Sequence, residues 1–256
     1  IFKIVEPIFS DLFNEFGKSK KVNNIPFRRI KYKDSMLKYG TDKPDLRNPI
    51  EITDVTDLIN SKDVKLEIFK KLIVHGAVVR AIPAPQTSSK PRSFFDELNN
   101  WSKEEGGKGL GYITFENKNG KLTGKGPIIK YFSDKAISSL IKICKLKDKD
   151  SVFFACDKKE NAEKIAGLAR QKIAKELKLI DYNKYEFCWI VDFPMYKYDE
   201  EKKKIDFSHN PFSMPQNTIE EIDKTDPLSI LAYQYDLVCN GFEISSGAIR
   251  NHLPDL

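Results

Sequence analysis

Apolar side chains recur at helical spacing from the first residue: Ile1, Phe2, Ile4, Val5, Ile8, Phe9, Leu12, Phe13 and Phe16, with Gly17 as a natural stop. The spacing predicts an amphipathic helix over residues 1–16, bent at Pro7. The lysine-rich stretch Lys18 to Lys21 and the turn-formers Asn23, Asn24 and Pro26 lead into a short strand over 27–32. A short helix over 34–39 follows, closed by Gly40. Thr41 to Arg47 is too polar and too broken by Pro44 to be core, and reads as an ordered loop. From about residue 64 the texture changes. Lys71 to Ile82 reads as a strand with His75 inside the core, and Pro83 to Lys90 as an exposed loop.

Ser93 with Asp96 is a capping pattern before a helix whose apolar face is Phe94, Phe95, Leu98 and Trp101, ended by Gly106 and Gly107. Strand 110–116, a turn at 117–120 that makes a hairpin, helix 136–144 and strand 151–156 come next, a sequence typical of a small α+β layer domain. Asp157 with Glu160 reads as a second capping box, opening a helix with Ala162, Ile165, Leu168, Ala169, Ile173 and Leu177 on one face. Strands return at 185–193 and, after a Lys202 to Lys204 turn, at 205–208. Late in the chain, 233–239 and 242–244 flank Asn240-Gly241, the strongest short hairpin signal available. The fold class is α+β. The pattern divides into a first segment at 1–60, an inserted unit at 61–180 and a second segment at 181–256.

With 256 residues, 40% hydrophobic and 31% charged, the chain can bury a full core, and its length favours two domains over one. Lysine and arginine outnumber the acids 43 to 37, giving +6, so a polyanionic partner is electrostatically welcome without being required. Cys144, Cys156, Cys188 and Cys239 stand far apart with no C-x-x-C pair, and read as reduced buried thiols of a cytoplasmic protein. No apolar run approaches the roughly 18 residues a membrane span needs, so no membrane partner is expected. The start at Ile1 and the stop after Asn251-His252 suggest a piece of something longer.

Candidate chemistry gathers near the end. With a two-residue turn at Asn240-Gly241, Cys239 opposes Phe242, Val238 opposes Glu243, and Asp236 lies diagonal to Glu243 on the same face. Close carboxylates repel unless a cation lies between them, and Mg²⁺ held by one or two carboxylates plus substrate phosphates is the usual answer in nucleotide enzymes. A solvated face bearing two unrelated acids is the competing reading. Strict alternation would put Arg250 on the opposite face from Glu243. A bulge in the small run Ser245-Ser246-Gly247 would bring it back, to serve either as a fork for a carboxylate or as an ordinary surface arginine. His209 sits in the stiff loop Asn210-Pro211-Phe212-Ser213-Met214-Pro215, either as a ligand-binder or as a structural hydrogen-bonder. The lysine clusters 18–21, 145–149 and 202–204 are interleaved with acids and read as solvated faces. No G-x-G-x-x-G, P-loop, H-E-x-x-H or G-x-S-x-G pattern occurs.

Four segments together resemble the bacterial-type aspartyl-tRNA synthetases: Tyr39-Gly40-Thr41-Asp42-Lys43-Pro44-Asp45-Leu46-Arg47, Trp189 to Pro194, His209 to Pro215, and Tyr235 to Glu243 running on to Arg250. The resemblance implies a partial class II synthetase catalytic domain with an antiparallel sheet, interrupted by an inserted GAD domain. In that domain the name-giving Gly-Ala-Asp is replaced by Ala155-Cys156-Asp157, with Asp157 still able to cap the next helix. It further implies ATP-dependent activation of L-aspartate to aspartyl-adenylate and transfer to the 3′ end of tRNA for aspartate, with tRNA for asparagine an open alternative. Glu243 then matches the ATP and Mg²⁺ residue, with Asp236 as the second carboxylate. Arg250 matches the arginine that grips the aspartate side chain, and His209 the first histidine of a pair whose second member is Asn210 here. No residue is assigned a covalent catalytic role. The resemblance places an anticodon-binding barrel and a homodimer-forming motif upstream of Ile1, and the two phosphate-binding arginine motifs just outside both ends. The segment alone is therefore expected to be inactive. A tRNA-binding module without synthetase activity is the alternative.

Overall fold

The computed structural model describes residues 1–199 and 201–256. Along the chain, α1 (Phe2–Phe16) leads to β1 (Arg28–Lys31) and α2 (Tyr32–Tyr39). Then come β2 (Thr53–Asp54), α3 (Thr56–Asn60), α4 (Glu67–Val74), β3 (Ala77–Ala84), α5 (Arg92–Glu104), β4 (Gly111–Lys118) and β5 (Lys121–Lys125). The series closes with α6 (Asp134–Ile143), β6 (Ser151–Lys158), α7 (Lys159–Glu176), β7 (Phe187–Val191), β8 (Gln234–Cys239) and β9 (Phe242–Ala248). The chain forms two compact units. One comprises 1–36, 42–47 and 181–256; the other comprises 37–41 and 48–180.

The first unit is built on a four-stranded sheet in the order β9-β8-β7-β1, antiparallel except for the parallel β1–β7 pair. Helix α1 lies on it because Phe2, Val5, Phe9 and Phe13 recur at three- and four-residue steps, forming one stripe that packs against Phe187, Trp189, Leu237 and Tyr235. Pro7 stands inside the helix without breaking it, at the cost of one backbone hydrogen bond. Glu6 faces inward on the same stripe, and its carboxylate accepts a 3.0 Å hydrogen bond from the Trp189 indole N–H.

The second unit is a five-stranded antiparallel sheet, β2-β3-β6-β4-β5, covered on both faces. Central β6 shows why. Val152, Phe154 and Cys156 point into one core with α3, α4 and α6, while Phe153 and Ala155 point into another with α5 and α7. A strand buried on both sides is apolar throughout. Two buried charges hold α7 to its surroundings. Arg170 donates to the carbonyls of Ile50 and Asn48, and Arg80 on β3 pairs with Glu163 at 3.1 Å and Asp54 at 2.7 Å. Gly40, at φ +70°, stops α2 where its Cα packs against the α7 backbone at Glu163 and Gly167.

The structure corrects four expectations. Ser93 does not cap α5, which begins at Arg92 after Pro91 and has no side-chain cap. The apolar run at 71–82 is helix α4 followed by β3, because Gly76 at φ +85° turns the chain; a run with no clear period reads either way. His75 accordingly caps the end of α4 and is exposed, not core. Asp157 does not cap α7. β6 runs on to Lys158, and the Asp157 carboxylate accepts from the Lys158 N–H, the Asn161 amide and the Lys108 ammonium. Among the described residues no helix is long and apolar enough to cross a membrane, and all four cysteines are buried and unpaired.

Candidate active site on the Asn240–Gly241 hairpin

The β8–β9 turn is the tight two-residue turn that Asn240-Gly241 demands: both residues take positive φ, +52° and +89°. The Asn240 side chain anchors it by accepting from the Glu186 N–H and donating to the Lys184 carbonyl. Cys239 pairs with Phe242 and Val238 with Glu243, as the two-residue turn requires. The register then shifts. Leu237 pairs with Ser245 and Asp236 with Ser246, so Ile244 is the extra residue of a β-bulge, one position ahead of the small run. Directly opposed residues share a face, so Asp236, Glu243, Ser246 and Ala248 all lie on one side, and the bulge carries the same parity on toward Arg250.

Asp236 is 4% exposed, and its Oδ1 has no hydrogen-bond partner among the described residues. Burial, and after it the neighbouring Glu243 and Asp42 charges, push its carboxyl up to about 6 against the opposing pull of Lys43. Lys43 comes from the Thr41 to Arg47 loop. Its ammonium stands 2.9 Å from Asp42 and 3.2 Å from Glu243. Burial works to lower its pKa, but the two carboxylates outweigh that and raise it. The loop keeps its shape because Asp45 engages Arg47 in a two-pronged pair, at 2.9 and 2.8 Å, and also accepts the Arg47 N–H.

His209 stands edge-on to Tyr32 and Phe193, with ring centroids at 5.4 and 5.1 Å. The ring keeps an exposed edge, yet loss of water around it lowers its pKa. Lys43 and Lys197 work in the same direction, against Asp42 and Glu243. Arg250 lies at an isolated bridge to Ser213. Its Nη1 donates to the Asn210 Oδ1 at 3.2 Å, and its guanidinium sits 5.9 Å from the Phe212 ring centre. The same Asn210 oxygen accepts the Phe212 N–H at 2.9 Å, so this asparagine both turns the His209 loop and holds the arginine.

The carboxylates suit a hard divalent cation: one is buried with an orphaned oxygen, and the other shares its face. Among the described residues no group of three metal-ligating side chains exists, so a cation here would take its remaining ligands from a phosphate or from water.

A family model for class II tRNA synthetases (D, K and N) matches residues 1–256. The chain belongs to that family. It is 52% identical over 256 residues to an aspartate–tRNA(Asp/Asn) ligase of Pelagibacter ubique, and 52% over 255 residues to one of Beijerinckia indica. A third relative of the same name, from Paramagnetospirillum magneticum, is 53% identical over 256 residues. In each case all of this chain is covered, but only 43%, 42% and 28% of the relative, so the chain spans less than half the length of these proteins. On this class II synthetase chain the sequence singled out Asp236, Glu243, Arg250 and His209. The structure adds Lys43 and Asp42 to the carboxylate pair, and Asn210 to the arginine. The signal for Lys43 lay within the Tyr39 to Arg47 motif, but its partner is about 200 residues away.

Proposed function

We propose that this chain belongs to the aspartate-activating part of an aspartate–tRNA ligase, which at full length forms aspartyl-adenylate and pyrophosphate from aspartate and ATP and then passes the aspartyl group to the 3′ end of tRNA. The observation that carries this reading is the buried, orphaned Asp236 oxygen beside Glu243 on the bulged hairpin, in a chain about half identical to ligases of that name. Glu243 and Asp236 would hold Mg²⁺ with the ATP phosphates, where the ion supplies charge neutralisation for the triphosphate. Arg250, pre-oriented by Asn210, offers a fork to the substrate side-chain carboxylate. Neutral asparagine would leave that guanidinium without its anion. Lys43, already balanced between two acids, can exchange one of them for a substrate carboxylate, and His209, with its lowered pKa, is neutral at physiological pH and can accept or donate a hydrogen bond. Positioning and charge complementarity carry the reaction, which needs no covalent protein intermediate.

The relatives' names pair tRNA for aspartate with tRNA for asparagine, and we extend the double specificity to this protein. We place the enzyme in the cytoplasm, as a homodimer at full length. The test is ATP–pyrophosphate exchange by a polypeptide of the relatives' full length, offered aspartate, asparagine or glutamate. Exchange with aspartate alone is expected. Arg250→Ala should lower kcat/KM for aspartate by roughly 10- to 10²-fold, the loss of a hydrogen bond between charged groups, and Glu243→Ala should abolish exchange. An intact protein that exchanges with none of the three would leave a tRNA-binding module as the better account.

A further inference from the structure

Positive charge is not spread evenly along this chain. Residues 37–41 and 48–180 hold 26 of the 43 basic and 17 of the 37 acidic side chains, leaving 17 basic and 20 acidic for the rest: +9 on one unit against −3 on the other. Sequence order hides how part of that excess is arranged. At one end of the five-stranded sheet three connections meet: the segment after β3, the β4–β5 hairpin and the loop between α6 and β6. Two aspartates lace them together. The Asp148 carboxylate accepts the Asn117 N–H of the hairpin at 2.7 Å, while its carbonyl accepts from the Gln86 side chain at 2.9 Å. Asp150, buried, accepts the N–H groups of Gln86 and Lys147 at 3.1 and 2.8 Å, and its carbonyl takes the Phe115 N–H. The Ser88 N–H completes the lacing on the Lys149 carbonyl.

The acids at this end are therefore spent on backbone donors, and the lysines are turned out. Lys90, Lys118, Lys121, Lys145, Lys147 and Lys149 are all exposed. Three segments far apart in sequence thus present six ammonium groups on a fixed frame. The 145–149 cluster, taken alone, is only a solvated face.

We propose that this end of the inserted sheet is a docking surface for the phosphate backbone of an RNA stem. Fixed loops lose little entropy on engaging a regular polyanion, and a cluster dominated by lysine ammonium groups suits phosphates rather than base edges. The choice of RNA among polyanions rests on the synthetase reading; the surface itself does not.

The test is binding of a fluorescently labelled short RNA duplex to the full 256-residue chain, followed by anisotropy in KCl from about 50 to 200 mM, a range over which multiple phosphate contacts weaken by orders of magnitude. The triple variant Lys145→Gln, Lys147→Gln, Lys149→Gln should bind more weakly. Its slope of log affinity against log salt should be shallower by roughly 2 to 3, at about 0.9 for each phosphate that the variant can no longer neutralise. Lys18→Gln, Lys20→Gln, Lys21→Gln removes the same charge from the other unit and should leave the slope unchanged. An equal change in both variants, an unchanged slope in the first, or no RNA binding by the native chain at the lowest salt overturns the proposal. In a full-length polypeptide the 145–149 variant should keep aspartate-dependent pyrophosphate exchange, which consumes no tRNA, while its KM for tRNA rises. Loss of exchange in the native protein would sink the ligase reading and leave the salt result standing, and the reverse outcome would sink only the docking surface.

Discussion

Replacing Asp236 by asparagine tests the electrostatic heart of the site. Folding raises the Asp236 carboxyl from an ordinary 3.8 to about 6, so between those values the folded chain keeps a proton that the unfolded chain has released. Stability therefore falls as pH climbs through that window and levels off above about 6. A shift of about two units corresponds to about 3 kcal/mol at 1.36 kcal/mol per unit. Asparagine cannot ionise and is spared this loss, although its buried amide has its own unmet hydrogen bonds, so the pH dependence is the informative quantity rather than the absolute difference. The expected result is a stability of wild type relative to Asp236→Asn that drops by about 3 kcal/mol between pH 4 and pH 8. Urea unfolding can follow this through Trp189, which pairs with Leu237 one strand away, in a Trp101→Phe background. Millimolar Mg²⁺ at pH 8 should recover part of the loss in wild type and nothing in the variant. A relative stability that stays flat with pH, within about 0.5 kcal/mol, would show that Asp236 titrates as an ordinary carboxylate, and the electrostatic case for a cation beside Glu243 would fall with it.

Two further perturbations probe the inserted unit. Gly40→Ala should cost about 3 kcal/mol, since φ +70° is unfavourable for alanine and its Cβ would stand 2.4 Å from the Glu163 carbonyl and 2.5 Å from the Gly167 Cα; a change in urea midpoint worth less than about 1 kcal/mol by Trp101 fluorescence would show that the two backbones are not in contact. Arg80→Met should cost about 3–5 kcal/mol by leaving the buried Glu163 carboxylate unpaired. Adding Glu163→Gln should restore much of that, and a double variant no more stable than the single one would argue that Arg80 acts through packing alone.

Local order was legible where a short sequence fixes a geometry. Asn240-Gly241 dictates a two-residue turn, which alone sets the pairing of Val238 with Glu243, and the stripe Phe2, Val5, Phe9, Phe13 fixes which side of α1 is buried. The bulge was legible only as a need. Arg250 had to return to the Glu243 face, but nothing marks Ile244 over Ser245 as the extra residue, because both are compatible with a strand and the choice is made by the neighbouring β8. The apolar run ending at Ile82 hid a helix because its first half buries no residue fully and its second half is central strand, so no single period describes it. Lys43 escaped because its partner Glu243 is brought to it by tertiary structure from about 200 residues away, and the grouping of the sheet-end loops because it is made by the hydrogen bonds of Asp148 and Asp150 between segments far apart in sequence.

The charges around the hairpin also explain why one lysine does not complete the site. Asp42, Asp236 and Glu243 confront the single ammonium of Lys43, and after burial the two neighbouring acids add to the rise of the Asp236 pKa against that ammonium's pull. A divalent cation held there would add positive charge and lower the Asp236 pKa. It would also loosen the hold of Glu243 on Lys43 and release the ammonium to an incoming carboxylate. Arg250, held by a neutral asparagine rather than an acid, needs no such release: it is kept in place without being neutralised. The two cations therefore differ in availability, Arg250 standing ready for an anion and Lys43 becoming ready once the acids beside it are neutralised. That difference predicts an order, metal-bound nucleotide before full engagement of the amino acid. Aspartate affinity should accordingly rise when a non-hydrolysable ATP analogue and Mg²⁺ are present, and in Lys43→Met, measured by calorimetry on a full-length polypeptide, that rise should disappear. Equal enhancement in the variant would show that Lys43 serves only to balance its two acids.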